Sequence, residues 1–193
     1  MKRQYQVVVL VIFVFLLGWV FFSTKKDLSF NLQPHLASEA VAAKFDYLSQ
    51  HGNSSCSANF KNSIPQMSDN NRIQGSCCSP MSFHRYGEQV EGLKKYENIP
   101  EIPKNPYDIE ASLAKRLMSY YDMEITLEKQ NAYDYAMEHS HEKGPCCCKC
   151  WRWYVYGGLG KYLIHNYGFT GGQLTEIWNL SDGCGGNEEH HHS

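Results

Sequence analysis

Apolar positions along this chain recur mostly at helical spacing. The exception is Gln6 to Phe22 (QVVVLVIFVFLLGWVFF), which is apolar after its leading Gln6 and carries no charge. Lys2 and Arg3 flank it on one side, Lys25 and Lys26 on the other. At about 1.5 Å per residue, roughly 17 residues reach about 25 Å, the short end of a bilayer span. A cleavable signal is the alternative reading, but Phe21 and Phe22 stand where small residues are needed. Residues 1–26 are therefore predicted to be a single-pass membrane anchor, or else a removed signal. The flanking charge tips weakly toward the N-terminus inside and the bulk of the chain outside the cytoplasm, at the cell membrane.

Residues 27–35 read as a spacer. Leu36 to Gln50 is predicted to be a helix with Ser38 as cap and Val41, Phe45 and Leu48 on one stripe. Ser54 to Ser76, rich in Ser and Asn and containing Cys56, reads as loop. Ser79-Pro80 resembles a helix start, and the following helix should run to Tyr96. Prolines at 100, 103 and 106 predict an extended strap over 97–107. Asp108 then caps a helix over 109–123 with Leu113, Leu117 and Tyr120/Tyr121 inward. Another helix is expected over 126–139. A further one should begin at Gly144-Pro145, carry its cysteines in the first turn and end near Asn166. Thr170-Gly171-Gly172-Gln173 has the pattern of a capping box opening a last helix through Leu180, with Leu174, Ile177 and Trp178 buried. No window shows strand alternation. The fold class expected is mainly α: an N-terminal transmembrane anchor plus one compact domain of about five or six helices. That cysteine-rich helical domain is assigned to 36–182, and 183–193 to a flexible Gly/acidic/His tail.

Charge narrows the partners. Beyond the anchor, 14 basic residues face 20 acidic ones, about −6 in all. A net acidic domain with no basic run is a poor match to nucleic acid and tolerates cations.

The chemistry lies in His139-Ser140-His141-Glu142-Lys143-Gly144-Pro145-Cys146-Cys147-Cys148-Lys149-Cys150, which packs four thiols and two imidazoles into twelve residues. At a helix N-terminus, free N–H groups and the helix dipole would favour thiolate, the form that binds metal and attacks disulfides. Cys77 and Cys78 repeat the pattern before Ser79-Pro80, with Met81 and His84 following. Thiolate and imidazole suit Cu(I) or zinc far better than Mg²⁺ or Ca²⁺. The candidate metal ligands are Cys146, Cys147, Cys148, Cys150, Cys77, Cys78, Cys184, His139 and His141. Met81 is read first as core packing and His84 as a surface residue. His190 to His192 are read as an affinity scar or flexible tail, outside the site. Trp151, Trp153, Tyr154 and Tyr156 are read as core that shields the site. Gly157, Gly158 and Gly160 within a helix imply close approach of another helix, or a break.

Pro145 to Cys150 resembles, over six residues, the Pro-Cys-Cys-x-Cys copper site of the mitochondrial cytochrome oxidase copper chaperone. Its twin Cys-x9-Cys hairpin is absent, so that fold is not implied. Cys147 to Leu180 is similar to the end of exported bacterial proteins named for a Pro-Cys-Tyr-Cys-Gly-Cys motif, which also join a C-x-x-C helix, a glycine and a Leu-x-Glu-Ile helix (here Leu174 to Ile177), although that six-residue string itself is absent from this chain. That resemblance implies a Cys-rich exported protein with a link to metal.

The expected function is a membrane-tethered, extracytoplasmic protein that carries, stores or senses Cu(I) or Zn²⁺, with a metal donor or acceptor protein as partner and no catalysis. Two other readings stay open. One is a thiol–disulfide oxidoreductase using Cys147 and Cys150, which the missing α/β pattern disfavours. The other is a domain stapled by disulfides without chemistry.

Overall fold

The computed structural model describes residues 38–184; the predicted anchor, the spacer and the predicted tail beyond Cys184, with His190 to His192, lie outside them. Among the described residues no helix is long and apolar enough to cross a membrane. The chain divides into two compact units between Lys44 and Phe45. Helix α1 covers 38–50, close to the predicted span, and its residues 38–44 are what the first unit contributes here. The second unit carries everything that follows.

Its elements are mainly helical: α2 (Ala58–Ser63), α3 (Phe83–Leu93), α4 (Ala111–Ser119), α5 (Leu127–His139), α6 (Trp151–Tyr167) and α7 (Gly171–Ser181), with 3-10 turns at Ile64–Gln66 and Lys94–Tyr96. Hydroxyl caps set several starts. Ser57, Ser82 and Thr126 each accept a backbone N–H from three residues on. The predicted capping box is present: Thr170 accepts from Gln173 N at 3.3 Å and Gln173 Oε1 accepts from Thr170 N at 2.9 Å. Gly168, at φ 64, ends α6 in the left-handed conformation that glycine adopts without steric cost.

α6 is the axis of the domain, buried on nearly all sides from Trp151 to Ile164. Its glycines mark where neighbours close in, as expected. A Cβ at Gly158 would overlap the Leu117 carbonyl of α4, and one at Gly160 would sit 3.0 Å from Trp178 of α7. α5 packs on α7 through Tyr133, edge-on to Trp178 at 5.2 Å, and Trp178 Nε1 donates to Tyr156 O at 3.0 Å. Leu174, Ile177 and Trp178 are buried as predicted, and so is Leu117; Leu113, Tyr120 and Tyr121 are half-buried.

Four local expectations are corrected. The 54–76 segment is not all loop: it contains α2 and strand β1 (Arg72–Gln74), which pairs antiparallel with β2 (Asp108–Glu110), Ile73 opposite Ile109. Strands of three residues are too short to display alternation. Asp108 does not cap a helix. Its carboxylate instead takes Arg72 Nε at 2.5 Å and Gln74 Nε2 at 3.1 Å, so α4 starts later, at Ala111. The proline-rich 97–107 stretch folds as successive turns, with Ile102 and Tyr107 buried. Ser79-Pro80 does not open α3, because Ser79 is engaged elsewhere: its N and Oγ both donate to Cys184 O, at 2.9 and 3.0 Å.

Candidate metal centre

The helix predicted to begin at Gly144-Pro145 begins only at Trp151. Cys146 to Cys150 do not lie in a helix; α6 begins at Trp151, with Cys150 at its cap position and without a side-chain cap bond. Lys143 (φ 51) and Gly144 (φ 151) turn the chain out of α5. Buried Ser140 clamps the turn, its Oγ donating to Gly144 O at 3.0 Å and lying 2.8 Å from Gly144 N, which donates to it. The irregular backbone has a geometric consequence. Successive helical side chains point about 100° apart, so a helix would splay Cys146, Cys147 and Cys148 around its axis. The loop lets these sulfurs turn toward one another and toward the other segments.

Four segments converge. Cys56 precedes α2, Cys77 and Cys78 lie between β1 and α3, Cys146 to Cys150 lie between α5 and α6, and Cys184 follows α7. Cys147 Sγ lies 2.9 Å from Cys184 Sγ, and Cys146 Sγ lies 3.2 Å from it. Cys56 meets Cys148 at 3.3 Å, Cys77 meets Cys78 at 3.6 Å, and Cys146 meets Cys150 at 3.7 Å. All eight thiols are free. Five triads have their sulfurs within 4.8 Å of one another: Cys56–Cys77–Cys150, Cys56–Cys78–Cys148, Cys77–Cys78–Cys184, Cys146–Cys147–Cys184 and Cys146–Cys148–Cys150.

Backbone contacts hold the segments in register. Cys77 N donates to Gly183 O at 3.3 Å, and Cys184 N to Asp182 Oδ1 at 3.1 Å. Trp151 Nε1 donates to Ser54 Oγ at 3.1 Å and so ties the Cys56 loop to α6. Cys146, Cys150 and Cys184 are buried, Cys56, Cys77 and Cys148 are half-buried, and Cys78 and Cys147 are exposed. The sulfur cluster thus has a closed floor and an open mouth.

The thiols do not ionise independently. The neighbouring sulfurs of Cys146, Cys150 and Cys184 draw Cys77 below the ordinary thiol range, aided by the charge of Arg152. Cys146 and Cys184 do the same for Cys147. Cys146 is pushed up by its bonds to Cys147, Cys150 and Cys184. Burial raises Cys56, and raises Cys78 to about 12.

Arg152, 1% exposed, packs its guanidinium against Gly183, next to Cys184. Its guanidinium sits 4.7 Å from the Trp151 ring centroid, 5.7 Å from that of Tyr107 and 5.9 Å from that of Tyr156. Nη2 reaches Gly75 O at 3.4 Å, while Nε and Nη1 have no hydrogen-bond partner. A buried, under-bonded cation is costly unless negative charge lies beside it.

All seven predicted cysteine ligands belong to this cluster. Cys56 joins them from the segment read only as loop. Cys147 and Cys150, the candidate redox pair, share no triad. His139 is exposed and stacks on Tyr135 at 3.9 Å, and His141 is exposed with its N donating to Asn179 Oδ1; neither belongs to a triad. His84 pairs with Glu88 at 3.2 Å. Met81 lines a groove with Phe45, Leu48 and Ser49. Trp151 and Tyr156 are fully buried and flank the site from α6; Trp153 and Tyr154 are half-buried. No protein-family profile matches the chain, and neither a curated protein nor a solved structure matches it.

Proposed function

We propose that this protein binds a soft, thiophilic metal, Cu(I) or Zn²⁺, and carries, stores or senses it outside the cytoplasm from a membrane tether. The observation that carries the reading is the convergence of eight free thiols from four segments on one half-buried cluster. Thiolate-only donor sets select Cu(I), zinc or iron–sulfur chemistry and reject hard cations. Disulfide bonding pairs sulfurs two by two, whereas most of these sulfurs have close neighbours in two triads. The exposed Cys78 and Cys147 offer a route for ligand exchange with a donor or acceptor protein. The tether and its orientation rest on the apolar 6–22 run and its flanking charges.

Anaerobic purification followed by metal analysis and thiol mapping by alkylation tests this. The expected result is bound Cu or Zn with the cysteines protected, and their exposure to alkylation after chelation. Metal-free protein whose thiols alkylate equally with and without added Cu(I) or Zn²⁺ would refute it. So would a set of stable disulfides in the anaerobic protein.

A further inference from the structure

We infer that the eight cysteines build one polynuclear Cu(I)–thiolate cluster, with thiolates bridging neighbouring ions and Arg152 as its buried counter-charge. This rests on the soft-metal reading above and adds nuclearity, ion and a charge partner to it. Three observations carry it.

The first is the sharing of donors. Seven of the eight cysteines belong to two triads each, and only Cys147 belongs to one. Independent mononuclear sites need separate donor sets; here any ion placed in one triad has a neighbour holding some of the same sulfurs. Doubly shared thiolates are what a bridged cluster requires.

The second is the triad itself. With metal–sulfur bonds of about 2.3 Å, a trigonal site places its sulfurs about 4.0 Å apart. The donors lie within 4.8 Å of one another in sets of three, which suits three-coordinate Cu(I).

The third is Arg152. Ions in all five triads and eight thiolates would leave three negative charges. Among the described residues the charged side chain buried to 1% exposure is this guanidinium, which packs against Gly183, the neighbour of Cys184, with Nε and Nη1 unpartnered. In the metal-free protein those donors are under-used; beside an anionic cluster they gain charge-assisted partners. Binding needs no electron transfer. Each Cu(I) enters as Cu(I), each ligating S–H gives its proton to solvent, and an S–Cu bond replaces it.

The test is an anaerobic titration of the reduced protein with Cu(I) supplied as its acetonitrile complex, read by native mass spectrometry and by emission from solvent-shielded Cu(I)–thiolate clusters. The expected result is cooperative passage from the metal-free chain to a species holding three to five ions, with emission and with all eight thiols protected. Cys78→Ser removes an exposed thiol at little risk to the fold and touches two triads. It should lower the plateau by one or two ions. A plateau at two or fewer ions without emission, or a Cys78→Ser plateau equal to that of the parent, overturns the cluster and leaves soft-metal binding standing. No uptake and no protection overturns both.

Discussion

Two glycine-to-alanine substitutions, the same chemical change in two helices, should move stability in opposite directions. Gly158 lies mid-way along α6, where its Cα faces α4. An added methyl would overlap the Leu117 carbonyl oxygen and lie 3.0 Å from both the Leu117 carbonyl carbon and Tyr121 N. These are backbone atoms that no rotamer change can move aside, so α4 must retreat bodily. A gap of roughly 0.5–1 Å forfeits a quarter to a half of each van der Waals contact across it. Overpacking of this kind costs about 1–3 kcal/mol, and the rigid backbone places Gly158→Ala at the upper end. Better helix propensity returns up to about 1 kcal/mol, leaving a net loss near 2 kcal/mol. At roughly 2–4 °C per kcal/mol for a domain of this size, Tm should fall by about 4–8 °C. Gly87, inside α3, has nothing within 4 Å of the position its added methyl would take. There Gly87→Ala keeps only the propensity gain of about 0.5–1 kcal/mol, so Tm should rise by a few degrees. Thermal unfolding of the reduced, metal-free protein by circular dichroism reads both. Equal shifts, or a stabilised Gly158→Ala, would refute the close packing of α4 on α6.

Other expectations concern the site. Cys184→Ser removes a donor from two triads and should cut Cu(I) affinity by more than the roughly 10–100-fold typical of outer partners, in a chelator competition assay. His139→Ala and His141→Ala should leave it unchanged in that assay. Arg152→Met exchanges a buried, under-bonded charge for apolar volume. It should stabilise the metal-free domain by about 1–4 kcal/mol in denaturant titrations while weakening Cu(I) binding. Glu142 is pushed up from 4.5 to about 7 by burial and by the charges of Asp182 and Cys147. Because the folded state then holds the proton more tightly than the unfolded state, this contribution is complete below pH 4.5 and is lost as pH rises through 7. Glu142 is only partly buried, so its worth is discounted to about 1–2 kcal/mol. Glu142→Gln should flatten that slope, seen as a Tm that no longer falls between about pH 5 and 8.

The helical class and most helix cores were legible because their apolar stripes are long enough to show a period and their caps are local. Thr126, Thr170 and Gly168 mark ends through bonds or dihedrals within a few residues. The glycines of α6 signalled close contact, though not with which helix. What failed depends on distant partners. Ser79 looks like a cap until the Cys184 carbonyl claims it, and Asp108 until Arg72 and Gln74 do. Pro145 permits a helix, yet the preceding left-handed turn and the Ser140 clamp hold the thiols in a loop. The density of cysteine announced the chemistry, but the closure of four segments on one centre is tertiary. Cys56 carries no local signal beyond being a cysteine, and the burial of Arg152 against Gly183 has none in a helix that reads as aromatic core.

X-ray absorption at the copper edge of the anaerobically Cu(I)-loaded full chain reads the donors and neighbours of each bound ion. A thiolate-bridged cluster gives a first shell of sulfur alone, close to three per copper, with a short copper–copper vector beyond it. A first shell containing nitrogen or oxygen, or sulfur without any neighbouring copper, would contradict it.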